Sequence, residues 1–422
     1  MRGGVEGKVE MTIVEGWKTE SLGDQLKLIR NGYSGQQVSR ITDFPVTRIE
    51  TISDGTIDLN KVGYVDFIPD SYRLKSGDLL FSNINSLKHI GKVARVSEET
   101  RLFHGMNLLV LRPVEQVDDK FLFYKLINAK PWFEKMAAQA INQASINQVT
   151  LKDLQLEIPV EKPEQTKIAD ILSTVDRAIE QSEALIAKQQ RIKTGLMQDL
   201  LIRGIDEHGN LRSEQTHKFK DSSIKGIRIP KSWKDCTFRH VTKVSQGLQI
   251  PIEERFKEDG SSRYKYITVQ YLNNPERYLE FIENPPPQLV CNIDDILFTR
   301  TGNTGQIITD VEGVYHNNFF KIAYDKKSVR KDYLIHFLNW QPIQDMIIEL
   351  AGTTTIPDLN HGDFYALSLF LPESDEQKNI DIILAKQNVE IHAETFKLNK
   401  YKSLKSALMQ VYLRARSASR PC

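Results

Sequence analysis

The sequence predicts an α+β protein in which one half-chain occurs twice: two similar globular domains and two long helices. Three observations carry this expectation. A helical pattern from Glu164 to Leu201 returns from Glu376 to Leu413 with no insertion or deletion. The segments ahead of the two helices echo each other more loosely, as a duplicated half-chain does when part of it is free to diverge. Each helix also follows an alternating strand pattern that ends in proline, at Ile158-Pro159 and at Leu371-Pro372.

The two helices keep a single register. Ile168 matches Ile380, Leu172 matches Leu384, Ile179 matches Ile391, Ile186 matches Leu398 and Leu196 matches Leu408, always 212 positions apart (168 to 380). A slip of one residue turns a helix by about 100° and carries its apolar stripe off its contact, so an echo free of insertions implies a preserved packing surface. Ile168, Ile171, Leu172, Val175, Ile179, Ile186, Ile192 and Leu196 recur at three-to-four spacing with Lys, Glu and Gln between them, a coiled-coil-like seam. At about 1.5 Å per residue each helix is a rod of roughly 57 Å, far longer than an ordinary globular helix. Two rods of equal length are expected to lie along each other through these positions.

Composition bounds the function classes. The 422 residues suffice for two or three domains, and 40% hydrophobic with 26% charged residues is ordinary for a globular protein. Lys and Arg number 56 against 55 Asp and Glu, so a nucleic-acid partner would have to be met by local surfaces and not by a basic whole. Cys236, Cys291 and Cys422 show neither zinc spacing nor a disulfide framework, which fits a reducing cytoplasm. No apolar run of about 20 residues and no export signal is seen, so neither a membrane span nor secretion is expected.

Along the chain, Trp17-Lys18 answers Trp233-Lys234, each after a short apolar stretch. Gly77 to Ser82 (GDLLFS) matches Asp294 to Thr299 (DDILFT), two acidic-turn entries into a buried strand, and Gly91-Lys92-Val93 parallels Gly305-Gln306-Ile307. Asn107-Leu108-Leu109 corresponds to Asn318-Phe319-Phe320, and the short helix pattern from Val117 to Leu126 to that from Val329 to Leu338. Ile146-Asn147 and the following strand to Pro159 align with Leu359-Asn360 and the strand to Pro372. Gly204 stops the first rod, and the polar run Asp206 to Ser223 reads as a linker. The expected division is a domain at 1–160, a helix at 161–204, a domain at 205–372, a helix at 373–414 and a tail at 415–422.

No catalytic constellation emerges. Asn284-Pro285-Pro286-Pro287 approaches the Asn-Pro-Pro-aromatic loop that grips a flipped base, but the stacking ring is absent and no FxGxG loop for S-adenosylmethionine accompanies it. No GxxxxGK[ST] phosphate loop and no HExxH is present. Asp118 and Asp119 open a helix, where acids serve the N-terminal dipole, so a nuclease reading of Asp118-x-Lys120 is weak. Neither catalytic nor metal-binding residues are expected.

Two globular domains, each followed by a long helix, with Ile158-Pro159…Glu164-Gln165…Ile168-Ala169…Ile171-Leu172 and Leu371-Pro372…Glu376-Gln377…Ile380…Ile383-Leu384, closely resemble the specificity subunits of type I restriction-modification systems. The resemblance spans nearly the whole chain, apart from Met1 to Glu10 and Arg414 to Cys422. It implies that the globular parts are target-recognition domains, each reading one half of a split sequence in double-stranded DNA. The rods would pair antiparallel as a spacer, making the whole a pseudo-twofold internal duplication. It also implies no catalysis and no cofactor in this chain. Two modification subunits would supply S-adenosylmethionine-dependent adenine methylation, and restriction subunits would supply translocation and cleavage with ATP and Mg.

Base readout needs Arg, Lys, Asn, Gln, Ser or Thr at base edges, with Lys and Arg on phosphates. The candidates in the first half are Asn83, Asn85, Lys88, His89 and Lys92, with Gln143 and Ser145 ahead of the last strand. The second half offers Arg300, Asn303, Thr304 and Gln306, with Arg263, Tyr264, Lys265, Thr353 and Thr354 nearby in the repeat alignment. The competing class is a coiled-coil adaptor carrying two peptide-binding domains, which salt-dependent binding to a split duplex would distinguish.

Overall fold

A computed structural model describes residues 15–413 apart from 54, 85–88, 139–144 and 353–356. It divides into two compact units, residues 1–183 with 396–422 and residues 184–395. Each of the long helices Lys162–Ile202 and Ser374–Leu413 gives one of its halves to each unit. Among the described residues no helix is long and apolar enough to cross a membrane.

The duplication is visible in the central sheet of each unit, which has the same strand order, while the smaller sheets differ. The first unit holds a four-stranded sheet in the order Leu26–Asn31, Leu109–Pro113, Leu79–Phe81, Val93–Arg95. The second repeats it as Thr242–Gln246, Phe319–Tyr324, Ile296–Thr299, Ile307–Ile308. The third strand of each reads as an unbroken apolar run because both its faces are covered. Leu79 and Phe81 pack with the helices while Leu80 packs with Leu74, Val96 and Leu102 behind the sheet. Ile296 and Phe298 face the second unit's helices, and Leu297 faces Ile267, Tyr315 and Phe319. The acidic entries to these strands act within their own turns: Asp78 Oδ2 accepts the Lys75 N–H (2.8 Å) and Asp295 Oδ2 the Asn292 N–H (3.0 Å).

A second two-stranded ladder starts and ends each domain. Trp17–Ser21 runs antiparallel to Gln155–Pro159, and Lys234–Thr237 to Ser368–Leu371. The ladder places the two tryptophans at the root of the rods, where the Trp17 indole donates to Glu164 and the Trp233 indole to Glu376, both at 3.1 Å. The next residue of each rod is a buried glutamine. Gln165 accepts the Asp118 N–H and donates to Pro159 O, each at 2.9 Å. Gln377 accepts the Arg330 N–H (2.9 Å) and donates to Pro372 O (2.9 Å) and Ser328 O (3.0 Å).

Within each unit the helix halves are antiparallel. In the first, Asp176 pairs with Lys405 and Glu183 with Lys402, and Ile168, Ala169 and Leu172 share a core with Leu408, Met409 and Leu413. In the second, Gln387 donates to Gln189 (2.6 Å) while Leu196, Met197, Leu200 and Leu201 pack with Ile380 and Leu384. Ile179, Ile186 and Ile391 are half-buried and Leu398 is buried. Ile192 departs from the expected stripe and is 41% exposed, while Gln189 and Lys193 are half-buried. The run from Asp206 to Ser223 is more ordered than a linker: Ile205 bridges Leu211, Phe219–Asp221 pairs with Arg228–Pro230, and Arg212 forms an ion pair with Glu376. The expected tail at 415–422 lies outside the described residues.

Replacing Gln377 with leucine removes the partner of three backbone groups, the buried Pro372 O and the partly buried Arg330 N–H and Ser328 O, at about 1–3 kcal/mol for each unsatisfied buried group and less for the others. Gln377→Leu is therefore expected to lower stability by on the order of 3 kcal/mol, measured by urea unfolding, with Gln377→Glu intermediate because it keeps the acceptor. An unchanged midpoint would show that the clamp does not hold the rod.

Burial pushes His104 down to about 4, against the hydrogen bond to Leu108 O, and does the same to His336 beside Lys193. Such a histidine stays neutral when folded but takes a proton near pH 6.5 when unfolded, so its contribution is complete above that value and lost as pH falls toward 4. Burial acts oppositely on Asp381, raising it to about 6, so in the second unit its proton uptake below pH 6 offsets part of the loss. The stability advantage of the wild type over His104→Gln is expected to shrink by roughly 3 kcal/mol between pH 7 and pH 4. A pH-independent difference would contradict the assignment.

Candidate nucleic-acid interface

One end of each four-stranded sheet gathers the loops that the sequence singles out. Antiparallel pairing sets the end of Leu79–Phe81 beside the start of Leu109–Pro113, which in turn faces the end of Leu26–Asn31. The loop leaving Phe81 closes through Gly91 N–H to Ser82 O and Ser82 N–H to Lys92 O, both 2.9 Å. The second half closes its loop identically, Gly305 N–H to Thr299 O and Thr299 N–H to Gln306 O, again 2.9 Å.

A second loop is clipped against the first in each half. Asn83 O accepts the Ile146 N–H (2.9 Å) and the Asn83 amide donates back to Ile146 O (3.4 Å). Arg300 O accepts the Leu359 N–H (2.9 Å) and its Nε donates back to Leu359 O (3.2 Å). The clip is stronger in the second half, where Arg300 also forms an ion pair with Asp358 (2.7 Å), which accepts the Thr301 hydroxyl as well, and Thr304 donates to Pro357 O (3.0 Å). The Arg300 guanidinium lies over the Phe320 ring, and the side chain is only 16% exposed. Ile84 bridges Ser145 in the first half as Thr301 bridges Asp358 in the second.

These contacts show how the expected readers are held. Asn83, 7% exposed, and Arg300 hold loops together; to reach a base, Arg300 would have to give up both Asp358 and Leu359 O. Thr304 likewise spends its hydroxyl on Arg300 O and Pro357 O. His89 and Lys92 are half-buried and Ser145 is exposed at this end, as are Asn303 and Gln306. Arg263 is engaged elsewhere, bonded to Glu283 and Glu258 O over the Phe256 ring. Tyr264 and Lys265 are exposed on the same strand, but that strand belongs to a separate five-stranded sheet, and its far end, Ile267, is the part bonded to His316. Asn85, Lys88, Gln143, Thr353 and Thr354 lie outside the described residues. Sequence reasoning missed the turns at 105–107 and 316–318, which share this end of the sheets; the recurrent Asn107 and Asn318 were the available signal.

Both halves are matched by the family model of the type I restriction modification DNA specificity domain, over residues 14–189 and 230–400. The chain is 33% identical to the MjaX type I restriction enzyme specificity subunit of Methanocaldococcus jannaschii over 384 residues, 87% of this chain and 86% of the relative. It is 23% identical to the MjaVIII specificity subunit of the same organism over 392 residues, 87% and 85% of the two chains. The fold is that of the type I restriction-modification S subunit from M. genitalium, with a TM-score of 0.60 at 16% identity over 96% of this chain and 98% of that one. A chain from a structural study of type I restriction-modification complex assembly aligns with a TM-score of 0.55 at 15% identity, over 96% and 99%. With a family model on each duplicated half and a relative one-third identical across most of its length, this chain belongs to the type I restriction-modification specificity family, as a DNA sequence-recognition subunit.

Proposed function

We propose that each globular domain reads one half of a two-part target in double-stranded DNA, that the rods set the distance between the halves, and that the chain works in the cytoplasm without catalysis of its own. The observation that supports this best is the recurrence of one loop-closing and loop-clipping pattern at the same sheet end of both domains. The family match over both halves disfavours an adaptor carrying two peptide-binding domains. Partner modification subunits would bring S-adenosylmethionine and methylate adenine, and restriction subunits would bring ATP- and Mg-dependent translocation and cleavage.

The helix Ser374–Leu413 offers the modification subunits a surface. Ile382 and Val389 in the second unit, and Phe396, Leu404 and Val411 in the first, lie about one heptad apart and are 45–66% exposed. Within each unit, exposed apolar residues at this spacing fit the face of an amphipathic partner helix. The matching positions of the first rod, Asp170, Arg177, Ala184, Ile192 and Asp199, are mostly polar, so the second rod is the docking face.

The clip assigns Arg300 a positioning role, so Arg300→Ala and Asp358→Ala are expected to relax or weaken recognition of the same half-site, roughly tenfold or more, while the other half-site stays intact. Methylated positions mapped in genomic DNA with the full complex would check this. Equal loss on targets altered in either half would count against it.

The ruler is tested by inserting four residues near Gln189 and four near Tyr401, close to one helical turn, which lengthens each rod by about 6 Å and keeps the stripe nearly in phase. With roughly 3.4 Å per base pair, the preferred spacer should grow by one or two base pairs while the half-sites stay the same. The chain without its partners is the control and should leave DNA unmethylated. An unchanged spacer in an active complex would leave the rods as assembly surfaces only.

A further inference from the structure

A third loop stands at the reading end of each domain, and both domains hold it in the same way. In the first half the Gly32 N–H donates to Leu108 O (3.3 Å) and the Tyr33 N–H to His104 O (2.9 Å). In the second the Gly247 N–H donates to Phe319 O and the Leu248 N–H to Tyr315 O, both 3.2 Å. Each pair of bonds grips a three-residue turn from both sides, 105–107 in one domain and 316–318 in the other. Glycine is required at the crossing, since a Cβ on Gly32 would lie 1.7 Å from Gly105 O and one on Gly247 2.1 Å from Tyr315 O.

The turns are also braced from within. The His104 ring bonds to Leu108 O across the turn (3.0 Å), and His316 Nδ1 accepts the Asn318 N–H (3.1 Å). In the second half Asn318 O accepts the Arg300 N–H (2.8 Å), which ties the third loop to the clipped pair. The last residue of each turn is an asparagine. Asn107 is exposed with φ at 66°, in the left-handed region that asparagine tolerates better than most residues, and Asn318 is half-buried. A surface asparagine with only solvation to perform needs no turn fastened by a glycine crossing and a histidine brace.

We infer that Asn107 and Asn318 are specificity-determining residues, each presenting its carboxamide to a base edge in one half of the target. The inference rests on the reading of the two domains as two separate reading heads. A carboxamide sets an acceptor beside a donor, the pattern complementary to the N6 amino group and N7 of adenine in the major groove. A pinned backbone lowers the ordering cost of placing that group. The exposed Met106 beside Asn107 adds an apolar surface suited to a thymine methyl group.

The test uses the complete complex with its modification subunits, carrying Asn107→Gly, which keeps the left-handed turn, or Asn318→Ala, with methylated positions mapped on one genomic DNA. Each variant is expected to lose discrimination at one position of one half-site, roughly tenfold to a hundredfold, the two variants affecting opposite half-sites. Asn107→Asp, equal in shape but lacking the donor, should relax the same position as Asn107→Gly. An unchanged motif in either variant, or a uniform loss over all sequences, would overturn the inference. If the wild-type complex methylates no two-part motif, the reading of the domains as separate heads fails as well.

Discussion

The joint between each globular domain and its rod depends on one buried glutamine. A globular domain joined to a long helix by an ordinary loop could swing, and a swinging head could not hold a register on DNA. Gln165 and Gln377 remove that freedom by bonding, from inside the first turn of the rod, both the strand that precedes it and the first turn of a neighbouring short helix. The bonds connect backbone groups that would otherwise be buried without partners, so breaking the joint costs more than making it gains. The adjacent glutamates reach back to the tryptophans that open each domain, so both edges of the domain's closing ladder meet at the joint. This explains why a short Glu-Gln pair after a proline-ended strand is a recognisable sign of the whole arrangement.

The rods are apolar where they meet the domains, and between them polar pairs alternate with Ile179, Ile186, Ile391 and Leu398. Ile168 and Leu172 share a core with the first domain, Ile380 and Leu384 with the second, whereas the levels between carry Asp176 with Lys405, Glu183 with Lys402 and Gln189 with Gln387. Polar seam pairs contribute little net stability but favour one alignment, because a one-turn shift would separate each pair.

How much of this was legible in the sequence follows from what kind of physics wrote each part. The rods, the proline-ended strands, the duplicated buried strand and the acidic entries depend on local pattern or on burial, and both repeat visibly in the chain. The reading residues depend on who holds whom. Arg300 looks like a reader until Asp358, 58 positions away, is seen to occupy its guanidinium, and Asn83 looks exposed until Ile146 closes over it. Ile192 belongs to the stripe by spacing but is 41% exposed, while Gln189 one turn earlier bonds Gln387 of the other rod. The Gly32–Gly105 crossing has no local signature, since two glycines 73 residues apart declare nothing until the strands are paired (32 to 105).

The division of labour between backbone and side chain also explains how such a chain can change its target without losing its fold. Loop closure, clipping and the glycine crossing are carried mainly by backbone N–H and C=O groups, which every residue supplies, so the outward side chains of the same loops are free to vary. Side chains that do structural work there include Asn83, Arg300, Thr301, Thr304, Asp358, His104 and His316. Arg300 and Asn83 perform the same bond to the same backbone carbonyl with unrelated side chains, which shows that the clip is conserved as a geometry and not as a residue. Specificity can then be rewritten at the exposed positions while the three loops keep their mutual placement.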